Sequence, residues 1–191
     1  MQIGHRKSVD IDLFANKKQN NGIILDSLKD QFKYYEMLNI TNNGLQLMIK
    51  NIKVDIMGMN QNILVGIKSE DNMQYYGKQD ISAMKLRAVL YRDKFRDYVD
   101  IAYLLKDIPF KKMIEYYKTK YNENNITLLK MKIINTQFDN AEITEVKDCM
   151  IKNDIDLYKI PVLIKNEIKQ LNDENNINTN LFKRLFFIKK Q

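Results

Sequence analysis

Residues 9–14, Val-Asp-Ile-Asp-Leu-Phe, constrain this chain more than any other stretch. Their alternation has the period of a β-strand. Val9, Ile11 and Leu13 then fall on one side, and Asp10, Asp12 and Phe14 on the other. A strand with two carboxylates on one face belongs either at a solvated edge or beside a cation. Residues 52–57 repeat the arrangement, with Ile52, Val54 and Ile56 on one face and Lys53 and Asp55 on the other. Carboxylates on neighbouring strands can converge to metal-ligand distance, and three of them repel strongly unless a divalent cation neutralises them. Mg²⁺ takes carboxylates together with substrate phosphates, and two such ions clamp the attacking and leaving oxygens of a phosphoryl displacement. The competing reading is a set of solvated edge-strand aspartates.

The rest of the first half reads as mixed α/β. The polar run 16–22 breaks the chain, and residues 23–38 carry Ile24, Leu25, Leu28, Phe32 and Tyr35 at helical spacing. Asn42-Asn43-Gly44 reads as a turn, and residues 45–49 and 52–57 as strands joined tightly at Lys50-Asn51. Residues 63–67 and 73–76 read as further short strands. From Asp80 the period becomes helical, with Asp80 as N-cap and Ile81, Met84, Ala88 and Tyr91 as the apolar stripe. Helices are expected over 95–105, 110–121, 126–137 and 162–171, with the break before Pro109. The polar segment 172–180 is expected to be a loop. The chain thus divides into a sheet region, 1–78, and a helical region, 79–191, with no linker clear enough to make them independent.

Composition excludes several classes. One cysteine, Cys149, rules out an intrachain disulfide and suits a reducing cytosol. No stretch approaches the roughly 20 apolar residues of a membrane span, and no apolar run follows the charged N-terminus to make a signal peptide. A cytoplasmic location without membrane partners is expected. The formal net charge of +7 favours polyanionic partners such as nucleic acid or nucleotide phosphates.

The helical region adds cations. Lys85, Arg92 and Arg96 fall at i, i+7 and i+11, close to one face of a continuous helix; a break near Asp93 would spoil the last alignment. Such a stripe suits a triphosphate, with Lys as a point charge and Arg as a fork. The alternative is a solvated face with Asp93, Asp97 and Asp100 as ion-pair partners. His5, the single histidine, has no second His or Cys at metal-ligand spacing. It reads either as a catalytic base or as a structural residue ahead of the strand. Residues 181–190 mix phenylalanines with Lys and Arg, as expected for a terminal helix packed on the core with snorkelling cations.

The run Gly4-His5-Arg6-Lys7-Ser8-Val9-Asp10-Ile11-Asp12 resembles the metal-binding strand of the AbiEii/AbiGii toxin-type nucleotidyltransferases, where the pattern is G-H-R-x-S-x-D-[IL]-D. Lys53-Val54-Asp55 is similar to the third-carboxylate strand of that family. Asp80-Ile81-Ser82-Ala83-Met84-Lys85, then Arg92, then Arg96-Asp97-Tyr98-Val99-Asp100, resembles its helical D-I-x-A-M-K … R … R-D-x-x-D signature. Phe138-Asp139-Asn140-Ala141-Glu142 echoes a later element.

The resemblance implies a polymerase-β-like mixed sheet with a mostly helical C-terminal part. It implies that Asp10, Asp12 and Asp55 hold Mg²⁺ or Mn²⁺, and that Lys85 contacts NTP phosphate with Arg92, Arg96, Arg6 and Ser8 as further substrate contacts. Asp97 or Asp100 would orient cationic groups or help activate the acceptor. It also implies a toxin of a toxin–antitoxin or phage-abortive system, transferring a nucleotide to RNA, tRNA included, or to protein, with an antitoxin as partner. The family's glycine turn, whose backbone N–H groups cradle the phosphates, lies upstream of the Asp-x-Asp strand. Only nine residues precede Asp10, and Gly4 matches a later glycine, so the chain is read as shortened at its N-terminus. The other reading of the same residues is a catalytically degenerate relic that binds RNA or protein.

Overall fold

A computed structural model describes residues 3–8, 10–15, 17, 19–58 and 61–187, with side chains of the last helix described to residue 173. Val9, Asn16, Lys18 and the side chains of 181–190 lie outside the described residues. The chain forms two compact units, one centred on residues 6–62 and one on residues 2–5 and 63–191.

The first unit is a four-stranded mixed sheet. Its strands are β1 (Asp10–Ala15), β2 (Glu36–Thr41), β3 (Gly44–Ile49) and β4 (Ile52–Gly58), in the order β1-β4-β3-β2. Helix α1 (Asn21–Gln31) connects β1 to β2, capped by the Asn20 side chain accepting from the Gly22 N–H. β2, β3 and β4 form antiparallel hairpins, and β1 returns parallel to β4. Lys50 and Asn51 turn the β3–β4 hairpin with φ of 49° and 64°, the left-handed pair that matches strand twist. Leu45, Leu47, Ile49 and Val54 are buried beneath Ile24, Leu25, Leu28 and Phe32. The α1 residues therefore cover one face of the sheet and leave the Asp-bearing face on the other side.

Two expectations fail here. The helix ends at Gln31, and residues 36–41 form β2. All six β2 residues are exposed, so the strand carries no alternation to betray it, and Phe32 and Tyr35 prolong a helical spacing beyond the true helix end. Residues 63–66 are not a strand; the short second sheet pairs β5 (Ile67–Glu70) with β6 (Met73–Tyr76).

The second unit is mostly helical: α2 (Lys78–Arg92), α3 (Phe95–Leu104), α4 (Phe110–Tyr121), α5 (Thr127–Asn135), α6 (Asn140–Cys149) and α7 (Ile160–Phe187). Its core holds Leu86, Val89, Phe95, Tyr98, Ile101, Leu104, Phe110, Met113, Tyr117 and Ile164 among others. The helix α2 buries Asp80, Ser82, Ala83, Leu86 and Val89. The expected stripe is only partly buried: Ile81 packs against the core, Met84 and Ala88 are half-buried, and Tyr91 is 71% exposed. The N-cap is Gly77, not Asp80. Asp80 instead accepts from the Leu64 N–H at 3.1 Å and from Lys120 Nζ at 2.7 Å, both ions fully buried. Asp139 and Glu142 form a capping box that starts α6, a helix the apolar spacing does not announce. The polar residues 172–180 are helical, inside α7; no Pro or Gly interrupts them. The mixed sheet followed by helices is the fold class expected from the sequence. Among the described residues no helix is long and apolar enough to cross a membrane.

Candidate active site

Two groups of site residues are brought together, one in each unit. In the sheet, the register pairs Asp12 with Asp55 and Asp10 with Lys53 across parallel strands. Paired residues share a face, so Asp10, Asp12, Lys53 and Asp55 all project from the side opposite α1. Lys53 Nζ donates to Asp55 Oδ2 at 3.1 Å. The other oxygen of that carboxylate, Oδ1, is buried without a hydrogen-bond partner. A buried carboxylate oxygen is costly to leave unmatched, and a hard cation at that face satisfies it. Among the described residues no three His, Cys, Asp or Glu side chains make a ready-formed metal cage. Mg²⁺ does not require one; it keeps several waters and needs one or two carboxylates plus phosphate oxygens. The donor set therefore fits a divalent cation at Asp12 and Asp55 with Asp10 alongside. Ser8 Oγ donates to the Asp10 carbonyl at 2.9 Å, fixing the entry to β1. Arg6 donates to the Lys7 carbonyl at 3.1 Å.

In the helical unit the chain breaks after Arg92. Asp93 adopts φ 47°, and α3 starts at Phe95. The Asp93 carboxylate accepts from Thr136 Oγ1 at 2.9 Å, from Tyr98 Oη at 3.2 Å and from Lys132 Nζ at 2.8 Å. These bonds hold a left-handed corner that a non-glycine residue adopts at some cost. Burial pushes the Tyr98 hydroxyl well above its usual pKa, so it stays a donor. Because of the corner, Arg92 folds back onto α3 rather than continuing a straight stripe. Its Nε and Nη2 both donate to Asp97 at 2.8 Å, a bidentate fork. Lys85 Nζ reaches Asp97 Oδ1 at 3.2 Å and Asp100 Oδ2 at 2.6 Å. His5 Nε2 lies 2.7 Å from Asp100 Oδ1.

The result is one connected network: His5, Asp100, Lys85, Asp97, Arg92. Asp97 is fully buried and Asp100 nearly so, while Lys85 and Arg92 remain partly exposed. Two carboxylates are balanced by two permanent cations, which is what makes burial tolerable. Arg96 makes none of these bonds, as the break at Asp93 dictates. Lys85 and Arg92 thus make ion pairs with Asp97 and Asp100, the partners that the alternative to a triphosphate stripe names, and neither is an uncompensated charge. An ammonium has three N–H donors; Lys85 directs two at carboxylates, which aims the third. His5 was legible as the single histidine and as part of the Gly-His-Arg run, but not as a partner of Asp100. No local signal pairs residues 95 positions apart.

Two crystal structures from Helicobacter pylori are similar to the chain. JHP933 shares 13% identity over 94% of this chain and 82% of its own, with a TM-score of 0.49. A protein described as a candidate nucleotidyltransferase shares 14% identity over 88% of this chain and 80% of its own, with a TM-score of 0.46. No curated protein matches the sequence. The family model for the nucleotidyl transferase AbiEii toxin of type IV toxin–antitoxin systems matches residues 1–161, a span holding both groups of site residues, and the chain belongs to that family.

Proposed function

We propose that this chain is a cytoplasmic toxin that transfers a nucleoside monophosphate from an NTP to a hydroxyl group on RNA, tRNA included, or on protein, with an antitoxin as its cellular partner. The acceptor oxygen forms a bond to the α-phosphorus, the bond from that phosphorus to the bridging oxygen breaks, and pyrophosphate leaves; the hydroxyl proton passes to a base or to solvent. One observation carries this reading. Asp12 and Asp55 are register partners on parallel strands, on one face with Asp10, and Asp55 keeps a buried oxygen with no donor. Asp12 and Asp55, with Asp10 alongside, would hold Mg²⁺ or Mn²⁺, which when bound would neutralise phosphate charge and polarise the phosphoryl group. Lys85, aimed by Asp97 and Asp100, takes a phosphate oxygen of the NTP. Arg92 supports it by holding Asp97. Arg96, Arg6 and Ser8 are further substrate contacts.

A second reading has one feature in its favour: Lys85 and Arg92 are already balanced by Asp97 and Asp100. A non-catalytic protein that binds RNA or a protein partner through other basic surface accommodates that. Incubation with each α-labelled NTP, Mg²⁺ and total RNA or protein separates the two. Label on a macromolecule, absent with Asp12→Asn, supports transfer. No label with any of the four NTPs, beside RNA binding that weakens steeply with salt, supports the binding module.

A further inference from the structure

We propose that His5 is a positioning residue that sets the direction of the Lys85 ammonium through Asp100. The imidazole is 2% exposed and stacks on Tyr103 with ring centroids 4.6 Å apart. Its backbone carbonyl accepts from the N–H groups of Ile151 and Lys152, at 2.8 and 3.1 Å. Ring and backbone are thus both fixed. Nε2 lies 2.7 Å from Asp100 Oδ1, and the other oxygen of that carboxylate binds Lys85 at 2.6 Å. An ionised carboxylate only accepts, so Nε2 carries the hydrogen. Among the described residues Nδ1 is buried with no partner, and the ring's directional contact is its bond to Asp100.

The arrangement pins Asp100 at both ends. The His5 bond restricts rotation of the Asp100 carboxylate, and with it the position of the ammonium it holds. With Oδ1 fixed by His5, Oδ2 is fixed in space, and the Lys85 Nζ is held between Oδ2 and Asp97 Oδ1. Two of its N–H bonds are then assigned and the third has one direction. Among the described residues, Asp100 bonds the ring and Tyr103 stacks on it, both from α3. The aromatic ring thus serves as a support for the donor. The assignment rests on Lys85 being the phosphate-contacting cation, but the positioning itself can be read without any nucleotide.

Because His5 is the single histidine, the long-range ¹⁵N spectrum of the imidazole reports it alone. It should show a hydrogen on Nε2; a bare Nε2 overturns the proposal. His5→Phe keeps a ring against Tyr103 and removes the donor, whereas His5→Gln keeps an N–H that reaches Asp100. Acetylation of Lys85, followed by peptide mass spectrometry with exposed Lys29 as the internal control, should accelerate severalfold in His5→Phe and stay near wild type in His5→Gln. Titration with ATP, GTP, CTP and UTP in Mg²⁺ should show the tightest of them weakened about tenfold in His5→Phe, the order of one misdirected charge-assisted bond, and largely restored in His5→Gln. Equal Lys85 labelling in all three proteins overturns positioning. Altered labelling without nucleotide binding by the wild type keeps positioning and overturns the transferase reading instead. If His5→Phe does not fold, His5→Leu, which also lacks the donor, takes its place in the labelling comparison, and the Nε2 hydrogen of the wild type decides beside it.

Discussion

Removing Lys85 separates a coupled network from a decorated helix face. In Lys85→Ala, two charge-assisted bonds disappear, to Asp97 at 3.2 Å and to Asp100 at 2.6 Å. Each such bond is worth about 1.5–3 kcal/mol. The 3.2 Å contact belongs at the low end. The loss is further tempered because Asp97 keeps the Arg92 fork and Asp100 keeps His5. Lys85 is also 22% exposed, so water replaces part of what is lost. The net cost should be about 2–3 kcal/mol, below the roughly 3–5 kcal/mol of a fully stranded buried charge. At roughly 2–4 °C per kcal/mol for a chain of this size, the melting temperature should fall by about 4–12 °C. Urea unfolding followed by circular dichroism gives the free energy. A double-mutant cycle with Asp100→Asn should return a coupling of about 1–3 kcal/mol. A loss under about 0.5 kcal/mol with no coupling is the signature of a solvated face, and it would refute the network.

Three further outcomes follow from the same structure. Mn²⁺ or Mg²⁺ should raise the melting temperature of the wild type, and Asp10→Asn with Asp12→Asn should abolish that shift; equal stabilisation of the double variant removes the metal assignment. Asp154, which accepts from Lys106 at 2.5 Å and from Tyr103 at 2.7 Å, has its pKa lowered to about 2, chiefly by the Lys106 bond. A depressed carboxylate stabilises the folded state above its unfolded value of 3.8 and loses that contribution as pH falls through about 2. Asp154→Asn should therefore be less stable than wild type at neutral pH and converge with it toward pH 2, and a constant difference across that window would remove the cause. Gly44→Ala would place a Cβ 2.3 Å from the Ile56 carbonyl oxygen; it should cost about 1–3 kcal/mol in urea unfolding, and a neutral result would contradict the close approach of β3 and β4.

Much of this was readable from local pattern. Lys50-Asn51 marks its hairpin because it is the two-residue gap between two apolar strand runs, and both residues take the left-handed conformation such a turn needs. Asp10, Asp12 and Asp55 share a face because strand alternation and register both have period two. The failures share a different cause. The strand β2 buries none of its side chains, so nothing in its sequence distinguishes it from a helix end. The helix α2 has apolar residues on two faces, and the choice between them is made by partners elsewhere. Asp80 is buried because Lys120, forty positions on, is there to meet it. Asp100 meets His5 for the same reason. Sequence spacing reports neighbours on one element, and these pairs are made between elements.

The parallel pairing of β1 with β4 also bears on the order of folding. The strands β2, β3 and β4 are linked by tight turns and form as consecutive hairpins. β1 joins at the outer edge of the sheet across α1 and two further strands. Closing so long a loop costs entropy before it returns any contact, so β1 should join after the hairpins. Asp10 and Asp12 ride on that strand while Asp55 sits on the hairpin core. The carboxylate face should therefore be complete only once β1 has joined β4. A cation spanning β1 and β4 would act as a latch on that step, and hydrogen exchange at residues 11–15 should slow with added metal far more than at residues 45–49.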